Sequence, residues 1–330
     1  MKPVVGIPRA LLYWQYFPLW QSFLEGIGVE TYLSPPTGRQ ILQDGLAALG
    51  TDVCLPVKVA AGHLLALRDR VDLILLPRLV SAARREYACP KLMGLPDLVR
   101  HSLSLPPLLS PVIDRYRHDN WPLIRVALAV GRRVGAGLPA VLRSLARAVE
   151  CYRRYLNLLQ AGYFPQEAWE AAGAGQAPDP RAPAGDVVAL IGHPYTVYDR
   201  EINLNLLGRL ERAGLSVRTA EQVPEATARR AAAALPKHLF WTAGQQAVGA
   251  AFHYLEQEGV VGMISVMSFG CGPDSMTGDL IARRARRGGI IPHLSLTLDE
   301  HAAEAGVLTR LEAFLDMVAA QRERGVVVCG

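Results

Sequence analysis

Residues 260–279 read VVGMISVMSFGCGPDSMTGD. Ten largely apolar residues, Val260 to Phe269, end abruptly at Gly270-Cys271-Gly272-Pro273, and a helix-like segment follows. Short apolar runs rich in Val, Ile and Leu, each followed by a turn and a helix, mark buried parallel strands. The same grammar recurs along the chain. The first half alternates PVVGIP (3–8, strand), 16–28 (helix), 29–36 (strand), 37–50 (helix, with Thr37 as cap), 57–70 (helix) and VDLILLPRLV (71–80, a central strand). The second half repeats it with DVVALIGHP (186–194, strand), 200–214 (helix), 215–221 (strand), 241–259 (helix), 260–269 (strand), 290–298 (strand) and a closing helix. Both halves open on a strand ending in Gly-x-Pro.

This pattern predicts an α/β protein of two doubly wound lobes with parallel sheets. Residues 121–172 read as helical, and AAGAGQAPDPRAPAGD (171–186) as a linker. The expected organisation is an N-terminal α/β lobe (1–120), a helical segment and linker (121–185) and a C-terminal α/β lobe (186–330). Ligands in such lobes sit beyond the carboxyl ends of the strands, and two facing lobes would make a cleft.

Composition narrows the function classes. The 330 residues are 50% hydrophobic and 20% charged, an ordinary globular balance. The net charge of +5 comes from arginines clustered at 131–155 and 282–289, and is read as solvated helix faces rather than a nucleic-acid surface. No secretory signal is visible, and no run approaches the roughly 20 apolar residues of a spanning helix, so a cytoplasmic protein with no membrane or nucleic-acid partner is expected. There is neither a GxxxxGK[ST] loop nor a GxGxxG after a strand, so the chain is not expected to be an ATPase.

Three of the five cysteines share a setting. Cys54 in DVCLPVK, Cys89 in REYACPKLMGLPD and Cys271 in FGCGPDS each lie where a loop leaves a strand or enters a helix, with proline one or two residues on. Cys151, inside a helical pattern, and Cys329, next to the last residue, do not. Four readings are open for the three: coincidental small hydrophobes, a zinc site, a nucleophile partnered by His63, His193, His293 or His301, and an iron–sulfur cluster. No CxxC knuckle supports zinc, and separations of 35 and 182 residues suit a cluster clamped by distant loops. Gly270 and Gly272 would let the backbone approach a bulky group. Lys58 and Lys91, close after Cys54 and Cys89, would offset negative charge. At other strand ends, His193 and Tyr195 in GHPYTVYD, and His301 with Glu304 in DEHAAE, are candidates for positioning a substrate or moving a proton.

The motifs GIPRALLYWQYFPLW, SPPTGRQILQDG, CLPVKVAAGH, REYACPKLMGLPDLVR, GHPYTVYDREIN, SFGCGPDSMTGDLI and LTLDEHAAEAGVLTRLEAFLDM together resemble the acyl-CoA dehydratase activase-related proteins, relatives of the 2-hydroxyacyl-CoA dehydratase subunits. The resemblance implies two flavodoxin-like lobes and a 4Fe–4S type cluster on Cys54, Cys89 and Cys271, with a fused double cubane as a variant. One iron would lack a cysteine ligand. It also implies a separate ATP-dependent activase as electron donor, a homodimer or related subunit as partner, and low-potential electron transfer or reductive, radical chemistry on an acyl-CoA-type substrate. The alternative is a non-catalytic cluster carrier, sensor or assembly subunit.

Overall fold

A computed structural model describes residues 2–116, 122–175, 179–288, 291–300 and 304–328, with the side chains of 122, 322 and 324–328 excepted. The chain divides into two compact units, Met1–Pro180 with Phe240–Thr242, and Arg181–Leu239 with Ala243–Gly330.

The first unit runs β1 (Val5–Ile7), α1 (Tyr13–Gly26), β2 (Thr31–Leu33), α2 (Arg39–Ala48), α3 (Leu55–Leu67), β3 (Leu73–Leu75), β4 (Arg78–Ser81), α4 (Pro90–Ser102), β5 (Leu108–Leu109), β6 (Val112–Asp114), α5 (Pro122–Arg133), α6 (Leu138–Gln160) and α7 (Pro165–Gly173). Its main sheet is parallel, in the order β2-β1-β3-β5. The second unit runs β7 (Val187–Ile191), α8 (Pro194–Val197), α9 (Leu206–Arg212), β8 (Ser216–Thr219), α10 (Glu225–Ala232), α11 (Thr242–Leu255), β9 (Val260–Ser268), α12 (Gly272–Gly288), β10 (His293–Leu298) and α13 (Glu304–Val328). Its sheet, β10-β9-β7-β8, is parallel throughout. Taken in chain order, both sheets have the same plan: second strand, first, third, fourth. That is the doubly wound α/β arrangement the repeated grammar predicts.

The strands bury as their composition requires. All residues of β1, β3 and β7 are buried, as expected for parallel strands covered on both faces. One core gathers Val5, Ile7, Phe17, Phe23, Leu24, Leu73 and Leu75. Another gathers Val187, Ala189, Ile191, Val248, Phe252 and Met263. The helical segment belongs to the first unit, where α6 packs along α1, Ser144 Oγ donating to Phe23 O (2.6 Å) and Tyr155 Oη to Trp14 O (2.7 Å).

Three expected elements differ. VDLILLPRLV is two strands in two sheets: β3 joins the main sheet and β4 pairs with β6. Pro77, lying at the break, has no N–H for a ladder, so the apolar run cannot continue as one central strand. Thr37 does not cap α2. Gly38 holds the N-cap position with no side-chain cap, and Thr37 Oγ1 bonds to His63 Nε2 (3.0 Å) instead. The helix expected over 200–214 is regular only from Leu206. Asp199 Oδ1 accepts from Glu201 N (3.0 Å), and Asn203 Nδ2 donates to Thr196 O (3.0 Å). Side chains competing for backbone groups in this way delay helix entry.

Helices α2 and α3 cross at unusually short range. A Cβ at Gly62 would lie 1.9 Å from Ile41 O, and one at Gly45 2.0 Å from Lys58 O. His63 of α3, fully buried, ties that helix to the segment ahead of α2: its Nδ1 meets Ser34 Oγ (2.8 Å), while Ser34 Oγ also accepts from Arg9 N (2.9 Å). Burial, with Arg9 nearby, pushes the His63 pKa down to about 4, so the imidazole is neutral.

Three outcomes are expected, with a glycine outside the crossing as the contrast. Gly62→Ala gains helix propensity but collides with backbone, and should lower stability by about 1–3 kcal/mol. Gly94→Ala, inside α4 with nothing within 4 Å of the added Cβ, should raise it by about 0.5–1 kcal/mol; urea midpoints give both signs. His63 takes up its proton more readily when unfolded. Stability should therefore fall as pH drops from about 6.5 to about 4, by up to roughly 3 kcal/mol. His63→Gln should remove that slope, read as urea midpoint against pH.

Candidate metal centre

In the second unit, β7 and β9 are neighbours whose connections leave in opposite directions, so their carboxyl ends bound the crevice where doubly wound sheets take ligands. Gly192 follows β7; a Cβ there would lie 2.8 Å from Val266 O, so glycine lets the chain run against β9. His193 comes next, at the N-cap of α8, with Tyr195 stacked on its ring (centroids 4.9 Å apart, planes at 22°). On the other side, Gly270 has φ +73°, a left-handed turn that takes the chain out of β9. Cys271 then sits immediately before α12: its N–H donates to Ser268 O (3.1 Å) and its carbonyl accepts from Ser275 N (3.1 Å). A Cβ at Gly272 would meet nothing within 4 Å.

Asp274, in the first turn of α12, completes the group. Its Oδ1 lies 2.7 Å from His193 Nε2, and the ligating atoms of His193, Cys271 and Asp274 all fall within 4.8 Å of one another. Electrostatics tightens the pair. Desolvation lowers the His193 pKa, but Asp274 and then Glu221 raise it above the ordinary value. Desolvation raises the Asp274 pKa, but His193, the Cys271 thiol and the Ser268 backbone bring it below the carboxylate norm. Both directions favour imidazolium against carboxylate.

The first unit presents two more thiols in matching settings. Cys54 is the N-cap of α3 (φ −64°, ψ 148°) and Cys89 the N-cap of α4 (φ −67°, ψ 151°), each with proline in the first two helical positions. Extended backbone followed by a proline-started helix aims the side chain at the helix mouth. There the unsatisfied N–H groups and the macrodipole favour negative charge on sulfur. Lys91 Nζ donates to Asp52 O (2.6 Å), tying the start of α4 to the loop that carries Cys54. Lys58 is one turn into α3 and buried. The loop before Cys89 is pinned by Ala88 N to Val80 O (2.9 Å) and by Tyr87, whose N–H donates to Phe240 O (2.6 Å) and whose carbonyl accepts from Thr242 N (3.2 Å).

The remaining candidates lie elsewhere. Glu304 bonds to Arg209 Nη2 (2.8 Å) and is not part of the His193 group. His301 and Cys329 fall outside the described residues. His293 bonds to Ser265 Oγ (2.9 Å) along β10, His63 bonds to Ser34 and Thr37 ahead of α2, and His193 lies beside Cys271. Cys151 lies on α6, lining an open cavity of about 660 Å³ with Ser22, Glu25 and Trp169. Sequence reasoning missed Asp274, although it stands in the stretch quoted at the outset. An acid in the first turn of a helix is adequately explained by the dipole, and the signal that could have found it is the Cys-x-x-Asp spacing.

The family described as CoA enzyme activase uncharacterised domain (DUF2229) matches residues 4–223. The chain belongs to that family. The match to the CoA enzyme activase domain covers Cys54, Cys89 and His193 and ends before Cys271 and Asp274. No curated protein matches the chain. Among solved structures, a sugar transporter from Clostridium phytofermentans aligns at 9% identity over 98% of this chain and 94% of its own, with a TM-score of 0.20. That likeness is too slight to bear on fold or function. Among the described residues no helix is long and apolar enough to cross a membrane.

Burial pushes the Cys151 thiol up, against the nearby Arg154 and a hydrogen bond from Ser22. Its alkylation by iodoacetamide should therefore remain slow at neutral pH and accelerate only above the ordinary thiol range. Peptide mass spectrometry across a pH series reads this directly.

Proposed function

We propose that this chain is an iron–sulfur protein of the CoA enzyme activase system. In this reading Cys54, Cys89 and Cys271 ligate a 4Fe–4S type cluster. A separate ATP-dependent activase supplies low-potential electrons, and the chemistry is reductive or radical, on an acyl-CoA-type substrate. The observation that carries it is the common placement of the three thiols, each directly ahead of a helix of 13 residues or more with proline in its first turn. A cluster held by thiolates is an anionic group of soft ligands. Helix N-termini offer it partial positive charge, and proline removes one N–H at a position where that donor would have no partner in the helix. All three cysteines are half-buried, and none is in a disulfide.

When bound, such a cluster supplies one-electron reduction and, at an iron without a thiolate, Lewis acidity. The chain's own residues contribute the surroundings. Cys271 is held at a crevice mouth by the Gly270 turn. Tyr195 fixes the plane of the His193 ring by stacking, and Asp274 holds His193 in its charged form, which keeps a proton at Nε2 beside the sulfur. A phosphate-binding loop is lacking from the sequence, so the ATP-consuming step is assigned to the partner.

Anaerobic purification followed by iron and sulfide analysis tests the reading. Cys54→Ser, Cys89→Ser and Cys271→Ser should each lose most of the iron, because a hydroxyl is a poor replacement for a soft thiolate, whereas Cys151→Ser should keep it. Equal iron in all four variants would sink the assignment. The isolated chain should not hydrolyse ATP; turnover that disappears on mutating its own residues would reassign it.

A further inference from the structure

Cys271 and Asp274 are separated by two residues across the first turn of α12, so both side chains emerge at the same helix mouth. Asp274 is only 8% exposed. Its Oδ1 is taken by His193 Nε2, and its Oδ2 is buried without a hydrogen bond. Two neighbouring hydroxyls share that condition: Ser268 Oγ, at the end of β9, and Thr196 Oγ1, one turn beyond His193. A buried carboxylate oxygen with no donor is costly and rare, and calls for a partner. Around this one stand a thiol and an imidazole rather than a lysine or arginine, with all three ligating atoms within 4.8 Å of one another. Sulfur, nitrogen and carboxylate oxygen together suit a transition metal rather than calcium or magnesium.

We propose that Asp274 is an oxygen ligand, through Oδ2, of the iron held beside Cys271, with His193 as the positioning residue that occupies Oδ1 and orients the carboxylate. This rests on the iron–sulfur reading above. The carboxylate is the ligand rather than the imidazole because Nε2 is already engaged by Oδ1, while Oδ2 is buried without a geometric hydrogen bond and the Cys271 thiol that bears on the carboxylate would itself give up its proton to become an iron ligand. Hydrogen-bonded partners that orient a ligating group are the usual second layer of metal sites. A hard oxygen donor on one iron would leave that iron distinct from its thiolate-bound neighbours, and the carboxylate would be an easier ligand than a thiolate for a substrate oxygen to displace.

The test uses the full chain, reconstituted anaerobically with enriched iron and sulfide, and reads Mössbauer and electron paramagnetic resonance spectra with iron per chain. Wild type should show one oxygen-ligated iron subsite. D274A should lose that subsite and, on mild oxidation, give the signal of a three-iron cluster. D274C should keep full iron but lose the oxygen-ligated signature. H193Q should retain the subsite yet surrender iron to a chelator several-fold faster. Wild-type spectra and iron content in both Asp274 variants would overturn the assignment. Should D274A fail to fold by circular dichroism, D274C decides alone, and an unchanged subsite there overturns it. A loaded wild type and a depleted C271S alongside unchanged Asp274 variants would sink the ligand assignment only. A wild type that takes up no iron would sink the iron–sulfur reading and this inference together.

Discussion

Parallel strand pairing is the constraint from which the rest of the molecule follows. Each strand must be followed by a crossover that carries the chain from its carboxyl end back to the amino end of the next strand. All loops at one end therefore start from strand carboxyl ends, and all loops at the other lead back into strands. With the order second, first, third, fourth in both units, the first and third strands send their connections to opposite faces and leave a gap at their carboxyl ends. His193 and Cys271 stand at that gap in the second unit because each follows one of those two strands within a few residues. Neither needs a long loop to reach it, so the position of each is set by the sheet itself.

The chemistry of the gap rests on charge in a poorly solvated setting. His193 and Asp274 would each be reluctant to ionise alone, since burial opposes the charge of both. Each makes the other's charge tolerable, and the shifts run in opposite directions for that reason. Glu221, half-buried and accepting from Tyr198 Oη (3.2 Å), adds to the negative field on His193, while desolvation pushes its own carboxyl pKa up. The acidic surroundings thus belong to more than one element, and the Cys271 sulfur sits at their border.

Much of this was legible in the residues. Apolar runs of the right length, glycine and proline punctuation and the repeated Gly-x-Pro strand end placed nearly all the strands of both sheets, because burial on two faces leaves little freedom of composition. Legibility failed where a local bond overrode the pattern. Pro77 divides one apolar run between two sheets. Thr37 serves a histidine 26 residues away rather than its own helix. Asp199 and Asn203 spend their side chains on backbone groups and postpone α9. Asp274 escaped for a different reason: its partner His193 is 81 positions earlier in the chain, and no local pattern reveals a long-range pair.

One small feature governs how the polypeptide can be dissected. Residues Phe240–Thr242 belong by their contacts to the first unit, although the chain reaches them only after most of α8 to α10 has been laid down in the second. They supply both backbone partners of Tyr87, two residues ahead of Cys89. A fragment ending at Pro180 would leave that peptide group unsatisfied and the approach to α4 unsupported. The amino-terminal half is thus an incomplete module on its own, and a nick in the chain ahead of Phe240 would be felt at a cysteine more than a hundred residues upstream.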